Sequence, residues 1–499
     1  MHGHQHRNRP PSSPGLAGAV PRSVVPDQVA GRQPSRLKAL LGLLCLAQLM
    51  VILDISAVNV ALPDMAAGLD IDGGDVAWTV TSYSLVFGSL LLLGGRLADV
   101  IGGRRMFLVG LGVFTVASVG AATAEGEAVL FAARAAQGVG AAMLSPAALS
   151  ILMRTFTDGE QRAHALGVWG AVGGAGAAVG VLLGGALTSA VGWQAIFVIN
   201  VPIGLFVALV AAKLIPADVA PVQRRGLDLP GALLATASLG TLVFALSQAS
   251  SAGWGSRQTL GLGGLALLGL VAFVAVERHS DRPLLRVERL RDRGVGGGFA
   301  MMLAVSSVLF GSFLLVSMYM QNVLGAGAMQ TGLAFLPLAV ALGLGVHVAG
   351  HVVTRRGVRV PMATGFAVAA GGTLLLSGAE AGGSYAGDVL PGMLIAGLGL
   401  GIVLVSVSVS IMTGARDEET GMLSGLNTTG HEIGGSIGIA ALATIAAAGA
   451  GTAGAAAIGD AFLAATAIAG GAGLATLVAL PSAAAFLPKL RLAPRVAVH

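Results

Sequence analysis

Three ionisable side chains stand inside runs of otherwise apolar sequence. Asp54 is the centre of VILDISAVNVALP, Arg134 lies in FAARAAQGVG, and Glu432 follows His431 in GLNTTGHEIGG. A charge in the middle of such a run costs roughly 2.5–3.5 kcal/mol on insertion scales unless it is paired or hydrated. A carboxyl that burial favours neutral and a nearby guanidinium favours charged is suited to taking up and giving back a proton. Counting 1.5 Å per residue inward from the adjoining loops puts Asp54 about 14 Å and Arg134 about 10 Å below the same edge, so the two are expected to meet. Asp54, Arg134 and Glu432 are therefore the candidate proton-coupling residues, with His431 the nearest partner for Glu432 in sequence. Asn59, Tyr83, Tyr319, Gln321 and His431 are candidates for lining a substrate cavity, packing being the competing role.

The elements that must position these groups are read from composition. The chain has 499 residues, 55% of them hydrophobic and only 11% charged, which no ordinary soluble domain shows. A bilayer-spanning helix needs about 20 mostly apolar residues. Such stretches occur near 38–63, 74–95, 106–124, 127–153, 163–190, 194–215, 227–249, 259–276, 295–322, 331–353, 360–379, 386–413, 419–447 and 460–486. They are too long, and alternate too little, for barrel strands, so an all-α polytopic membrane protein with 14 transmembrane helices is expected. Alternate loops are basic: Arg36, Lys38, Arg96, Arg104, Arg105, Arg154, Arg162, Arg224, Arg225, Arg355, Arg356, Arg359, Arg416 and Lys489 fall on one side, with six arginines between Arg278 and Arg293. The other side has a single basic residue, Arg257. The positive-inside bias puts the basic side and both termini in the cytoplasm. The net charge then reports topology and contact with anionic lipid and gives no reason to invoke nucleic acid. Residues 1–35, rich in Pro, Ser, Arg and Gly, read as a disordered tail, and His2, His4 and His6 as part of it rather than as a metal site. The lone Cys45 permits no intramolecular disulfide.

Internal repetition organises the spans. GRLADVIGGRR (95–105) aligns with GHVVTRRGVRV (350–360), pairing Gly95 with Gly350, Gly102 with Gly357 and Arg104 with Arg359. Gly176, Gly180 and Gly184 recur every fourth residue in the fifth span, as Gly430, Gly434 and Gly438 do in the thirteenth. The expected organisation is a six-helix half over 36–215, an inserted helix pair with flanking loops over 216–294, a second half over 295–487, and a tail over 488–499.

Taken together, LDISAVNVALP, WTVTSYSL with GRLADVIGGRR, AARAAQGVGAAMLSPAAL, GVLLGGALTSAVGWQAIFVINVPIG, YMQNVLG, LAFLPLA and GMLSGLNTTGHEIGGSIGIA resemble the fourteen-helix drug:proton antiporters of the major facilitator superfamily, from about residue 38 onward. The resemblance implies the major facilitator fold, with a gating loop made by Gly95, Arg96, Asp99, Gly102, Arg104 and Arg105. In it Asp99 would bond Arg104, Arg105 or the N-terminus of a neighbouring helix. It also implies an antiporter motif of Gly176, Gly180, Gly184 and Gly185, whose packing surface would lie between the halves. The sequence departs from the family pattern at Val100 and Gly103, where arginine is usual, at Val181, where proline is usual, and at Gln194 and Ala195.

No phosphate-cradling GxxxxGK[ST] loop is present, so ATP is not expected as energy source. No cluster with metal or nucleophile spacing suggests an enzyme. The expected function is proton-driven export of a drug-like or antibiotic amphipathic compound by alternating access. The partners are the substrate, protons and lipid; there is no cofactor, and the unit is a monomer in a bacterial plasma membrane. The alternatives are export of an endogenous metabolite or lipid, and a membrane sensor that does not transport.

Overall fold

The computed structural model describes residues 1–3, 34–71, 78–156, 159–218, 228–281, 283–416, 419–448 and 454–491. His4, His6 and most of both tails lie outside these residues. The helices are α1 (Pro34–Leu69), α2 (Trp78–Ile101), α3 (Gly103–Ala122), α4 (Glu127–Thr155), α5 (Gly159–Val191), α6 (Ala195–Leu214), α7 (Leu229–Ala252), α8 (Arg257–His279), α9 (Arg293–Val323), α10 (Met329–Arg356), α11 (Arg359–Leu376), α12 (Tyr385–Met412), α13 (Thr420–Ala448), α14 (Gly454–Ala479) and the short α15 (Ala483–Arg491). Twelve of the described helices are long and apolar enough to cross a membrane. The other two long ones, α5 and α13, have 33 and 29 residues and stand at the fifth and thirteenth expected positions.

Several boundaries differ from the sequence expectation; α2 runs to Ile101, past the expected end at 95, so that Gly95, Arg96 and Asp99 of the expected gating loop lie on a helix. The apolar stretch 460–486 is two helices, since α14 stops at Ala479 and α15 begins after Pro481, where the pyrrolidine ring removes a helical donor. Helix α1 continues six residues past Pro63, through a segment expected as loop.

In the first half α4 packs between α2 and α3, and α1 lies against α5 and α6; in the second, α12 packs between α10 and α11, and α9 lies against α13 and α14. The halves meet where α13 runs along α2 and α4, and where α5 runs along α10 and α12. The pair α7–α8 leans through α7 on both α2 and α13, across that seam. Trp254, between α7 and α8, donates to Thr444 Oγ1 on α13 at 2.9 Å, and Trp78 of α2 stacks on Phe244 of α7.

Each glycine stripe sets a close helix contact. A Cβ on Gly180 would lie 2.7 Å from Ser56 Cβ, and one on Gly184 2.7 Å from Ala57 Cα, both on α1. Gly176 faces Ile52, and Gly185, with its nearest neighbour Val60 at 3.8 Å, is less tight. The stripe therefore joins α5 to α1 within one half, which corrects the expectation that it lies between halves. Residues four apart stay on one face, and the face of α5 toward the other half carries instead Gly167, against Val346, with Val181 and Leu182 against Gly332. The second stripe repeats the arrangement: Gly430, Gly434 and Gly438 seat α13 on Phe299, Leu303 and Ser307 of α9. Gly102 and Gly357, aligned by the repeat, both turn the chain at positive φ, 111° and 70°, a conformation that favours glycine.

Candidate functional site

The polar centre of the first half is built on α1, α2, α4 and α6. Close approaches of Gly138 to the Tyr83 carbonyl and of Gly94 to the Ala142 carbonyl draw α4 onto α2, which brings Arg134 up to the start of α2. There its Nε donates to the Thr79 carbonyl at 3.0 Å, and the guanidinium lies over the Tyr83 ring, 4.5 Å from its centroid. One Nη donates to Asp54 Oδ2 in an ion pair and to Gln137 Oε1 at 2.8 Å. Asp54 Oδ1 accepts from Gln137 Nε2 and from Asn200 Nδ2, both at 2.9 Å. Gln137 also donates to Ser118 on α3. Asp54 and Arg134 are each 1% exposed. A charge pair so enclosed survives because neighbouring groups engage both its members.

The structure thus joins Asp54 to Arg134, the pair that depth alone suggested. It adds Gln137, Asn200 and Ser118. Gln137 follows Arg134 by three residues and shares its helix face, a signal available in the sequence. Asn200 and Ser118 come from distant helices and carried no such signal.

The second half places its ionisable residues differently. His431 Nδ1 is 2.7 Å from Ser306 Oγ, and its ring lies on Phe310, so His431 is bound to α9 and does not serve as partner to Glu432. The Glu432 side chain is half-buried and engages no side chain among the described residues. Its charge is felt by Tyr83, whose buried hydroxyl has no hydrogen-bond partner among the described residues. Tyr83 also feels the charges of Asp54 and Arg134. The remaining cavity candidates are dispersed. Asn59 is exposed and returns its amide to the Ile55 carbonyl, Tyr319 is buried and donates to the Glu380 carbonyl at 2.6 Å, and Gln321 is exposed and donates to Ser317.

At the basic end Asp99 closes the seam between halves. Its Oδ1 and Oδ2 accept from the backbone N–H groups of Gly421 and Met422, each at 2.8 Å, at the start of α13. Arg154 of α4 pairs with Asp99 at 2.9 Å and donates to Thr420 at 3.0 Å. Gly95 makes room for this contact, since a Cβ there would fall 2.4 Å from the Gly421 carbonyl. Of the partners expected for Asp99, the helix N-terminus is the one observed, and Arg104 and Arg105 are not. Their backbone N–H groups, at the start of α3, bond Asp218 at 3.0 Å each, and the Arg104 side chain donates to the Ala212 carbonyl. The positive φ of Gly102 turns this helix start away from Asp99 and toward Asp218, whose carboxylate sits in the space a Gly102 side chain would fill. The charge of Arg96 reaches Asp99. Beside this contact Glu419 pairs with Arg286 at 2.8 Å and with Arg289. Burial pushes the Glu419 carboxyl up, but the Arg289 hydrogen bond and the two cations outweigh it and hold the group below its ordinary value.

The chain as a whole has relatives among known proteins. The profile of the Major Facilitator Superfamily matches residues 44–439. The chain is 40% identical over 434 residues to the cephamycin export protein CmcT of Amycolatopsis lactamdurans, covering 85% of this chain and 88% of that one. It is 38% identical over 429 residues to the puromycin resistance protein pur8 of Streptomyces alboniger, covering 85% of each. Among solved structures, the transporter FucP in its outward conformation superposes with a TM-score of 0.61 at 13% identity, over 90% of this chain and all of that one; at that identity the likeness is one of fold.

Proposed function

The chain belongs to the major facilitator superfamily, a multi-span helical membrane protein of the major facilitator fold, and from that premise we propose that it is a proton antiporter exporting amphipathic organic compounds of the antibiotic class. The relatives are named for export of or resistance to cephamycin and puromycin, and both compounds belong in the first test panel. The bias of basic residues supports the end bearing Asp99 as the cytoplasmic side of a bacterial inner membrane. The chain works as a transporter rather than an enzyme, as a single copy, with the proton gradient as its energy source.

The observation that carries this reading is the enclosed Asp54–Arg134 pair. A proton reaching Asp54 from outside cancels the charge that holds Arg134, and Gln137 and Asn200 then keep the neutral carboxyl in place. The freed guanidinium must find another partner, which favours a rearrangement of α1 against α4. Rocking of the halves about the seam opens the cytoplasmic end, where Asp99 leaves the start of α13. The proton departs inward as Asp54 and Arg134 pair again, and substrate moves outward in the return. A membrane potential of 100 mV adds about 2.3 kcal/mol per charge moved.

The test is accumulation of a compound panel in a host stripped of its own pumps. Expression lowers accumulation of at least one class, and a protonophore restores it. Equal accumulation with and without the chain for every compound overturns the reading, and selective export of a lipid or metabolite in the panel redirects it. Orientation is tested separately: a reporter active only outside the cytoplasm works when fused after Gly253 and is silent after Arg286.

A further inference from the structure

Two carboxylates from different helices converge at the basic end of the α7–α8 pair, away from the sites above. Asp228 caps α7, its Oδ1 accepting from the Gly231 N–H at 2.9 Å. Glu277, in the last turn of α8, accepts from the Leu285 N–H through Oε2 at 3.1 Å. Their other oxygens, Asp228 Oδ2 and Glu277 Oε1, are buried without a hydrogen-bond partner among the described residues, on residues 8% and 4% exposed. Both orphan oxygens face one notch. A Cβ on Gly231 would lie 2.5 Å from Glu277 Oε1 and 3.2 Å from Asp228 Oδ2, so the two oxygens border one space that the glycine leaves open.

Among the described residues no cation bonds either orphan oxygen; Arg224, Arg225 and Arg282 lie outside the described residues. From α2, Arg96 reaches Glu277 with its charge, and Asp99 is held by Arg154 and α13. The segment after α8 offers backbone amides, while Arg286 and Arg289 are turned to Glu419. Within α13, which also packs on α7, the ionisable side chains are His431 and Glu432, both deeper in that helix. Arg278 and His279 on α8 itself are exposed. Two buried carboxylates sharing a site cannot both stay charged, whereas one proton satisfies both, making one carboxyl a donor and leaving the other an acceptor.

We propose that Asp228 and Glu277 form a second proton-binding site, in the inserted helix pair, which holds one proton between the two carboxyls and sets the charge presented to Arg96. The proton comes from water at the basic end and returns there. Only the orphan oxygens exchange it, since Oδ1 and Oε2 remain on their backbone donors. Because both Glu277 and Asp99 feel the charge of Arg96, loss of the proton adds a negative charge that competes for Arg96 at the closure between halves. The site so reports pH on its own side of the membrane and is separate from the Asp54 exchange.

Infrared difference spectra of the full-length protein in lipid nanodiscs at neutral pH count protonated carboxyls. Glu277→Gln and Asp228→Asn each supply an amide hydrogen where the proton stood, and asparagine still caps α7, so both variants are expected to fold. Each should lose one protonated-carboxyl band relative to wild type, and an unchanged band in both overturns the site. The same variants should flatten the dependence of efflux on pH at the basic side while substrate-induced proton release persists. A lost band with an unaltered pH profile overturns the link to Arg96. The infrared result holds or fails whether or not the chain exports a drug, so it is independent of the transport reading.

Discussion

In the first half Gly176, Gly180 and Gly184 seat α5 on α1, and in the second Gly430, Gly434 and Gly438 seat α13 on α9. The joint between first and fifth helices is thus the same twice over. Around it the polar groups diverge. The first half encloses Asp54 and Arg134 among Gln137, Asn200 and Ser118. The corresponding region of the second binds His431 to Ser306 and leaves Glu432 half-buried with no partner side chain among the described residues. The contrast extends to the basic ends of α2 and α10. Asp99 clasps α13, while the aligned position in the second half is Thr354, which bonds only the His351 carbonyl of its own turn. A duplicated scaffold has kept its packing while its polar groups diverge: an enclosed ion pair in one half, and in the other a half-buried acid with no partner side chain among the described residues.

The sharpest way to break that division is Asp54→Asn. It leaves Arg134 charged and unpaired in a site where breaking a buried pair costs about 3–5 kcal/mol, and proton-driven efflux should fall to the level of cells lacking the chain. Substrate-induced proton release in vesicles should vanish with it. If release persists there and disappears in Glu432→Gln, the roles of the halves are reversed.

Next in size is the closure. Asp99→Ala removes an acceptor of two backbone hydrogen bonds and an ion pair. Hydrogen bonds to a charged group contribute about 1.5–3 kcal/mol each, so the population with the basic end open should rise at least about tenfold, read as spin-label distances between positions 101 and 416. Thr354→Ala should leave those distances unchanged; an equal effect would mean the two helix ends share the work.

Glu432→Gln should reduce efflux of cationic compounds roughly three- to tenfold, about 0.7–1.4 kcal/mol, and spare neutral ones. Uniform loss across the panel would make this acid a structural element or a second coupling site.

The smallest effect concerns pH. Glu419 is held below its ordinary value of 4.5 by Arg289 and Arg286 against the opposing effect of burial, so its contribution to stability is complete above that value and is lost as pH falls below it. Thermal unfolding of wild type and Glu419→Gln should differ by about 1 kcal/mol at neutral pH, within the range for partly exposed pairs, and converge in acid. A constant gap would show that the brace does not depend on the carboxylate.

How much of this was open to sequence reading follows from what fixes each feature. Apolar runs set the helices because hydrocarbon imposes length and composition, and the Asp54–Arg134 meeting followed from depth, which rise per residue measures. Rotation about a helix axis is harder. The Gly176 stripe was visible as a stripe, but which neighbour it met depended on how α5 is turned between α1 and α10. The partner of Asp99 was obscured by proximity. Arg104 and Arg105 are five and six residues away, yet the turn at Gly102 aims their helix start at Asp218, while the observed partners lie 55 and over 300 residues distant. Asn200 and Ser118 joined the buried network for the same reason, as contributions of tertiary contact alone.

The clasp between Asp99 and α13 has a consequence for mutational drift. On the receiving side its donors are the peptide N–H groups of Gly421 and Met422, which no exchange of side chain at those positions removes, proline excepted. Gly421 is further confined by the Gly95 carbonyl, 2.3 Å from where its Cβ would stand. A population adapting this chain to new compounds can therefore vary the side chain at Met422 without losing that donor to Asp99. The vulnerable allele is on the other half: a change of codon at Asp99 is enough to undo the clasp.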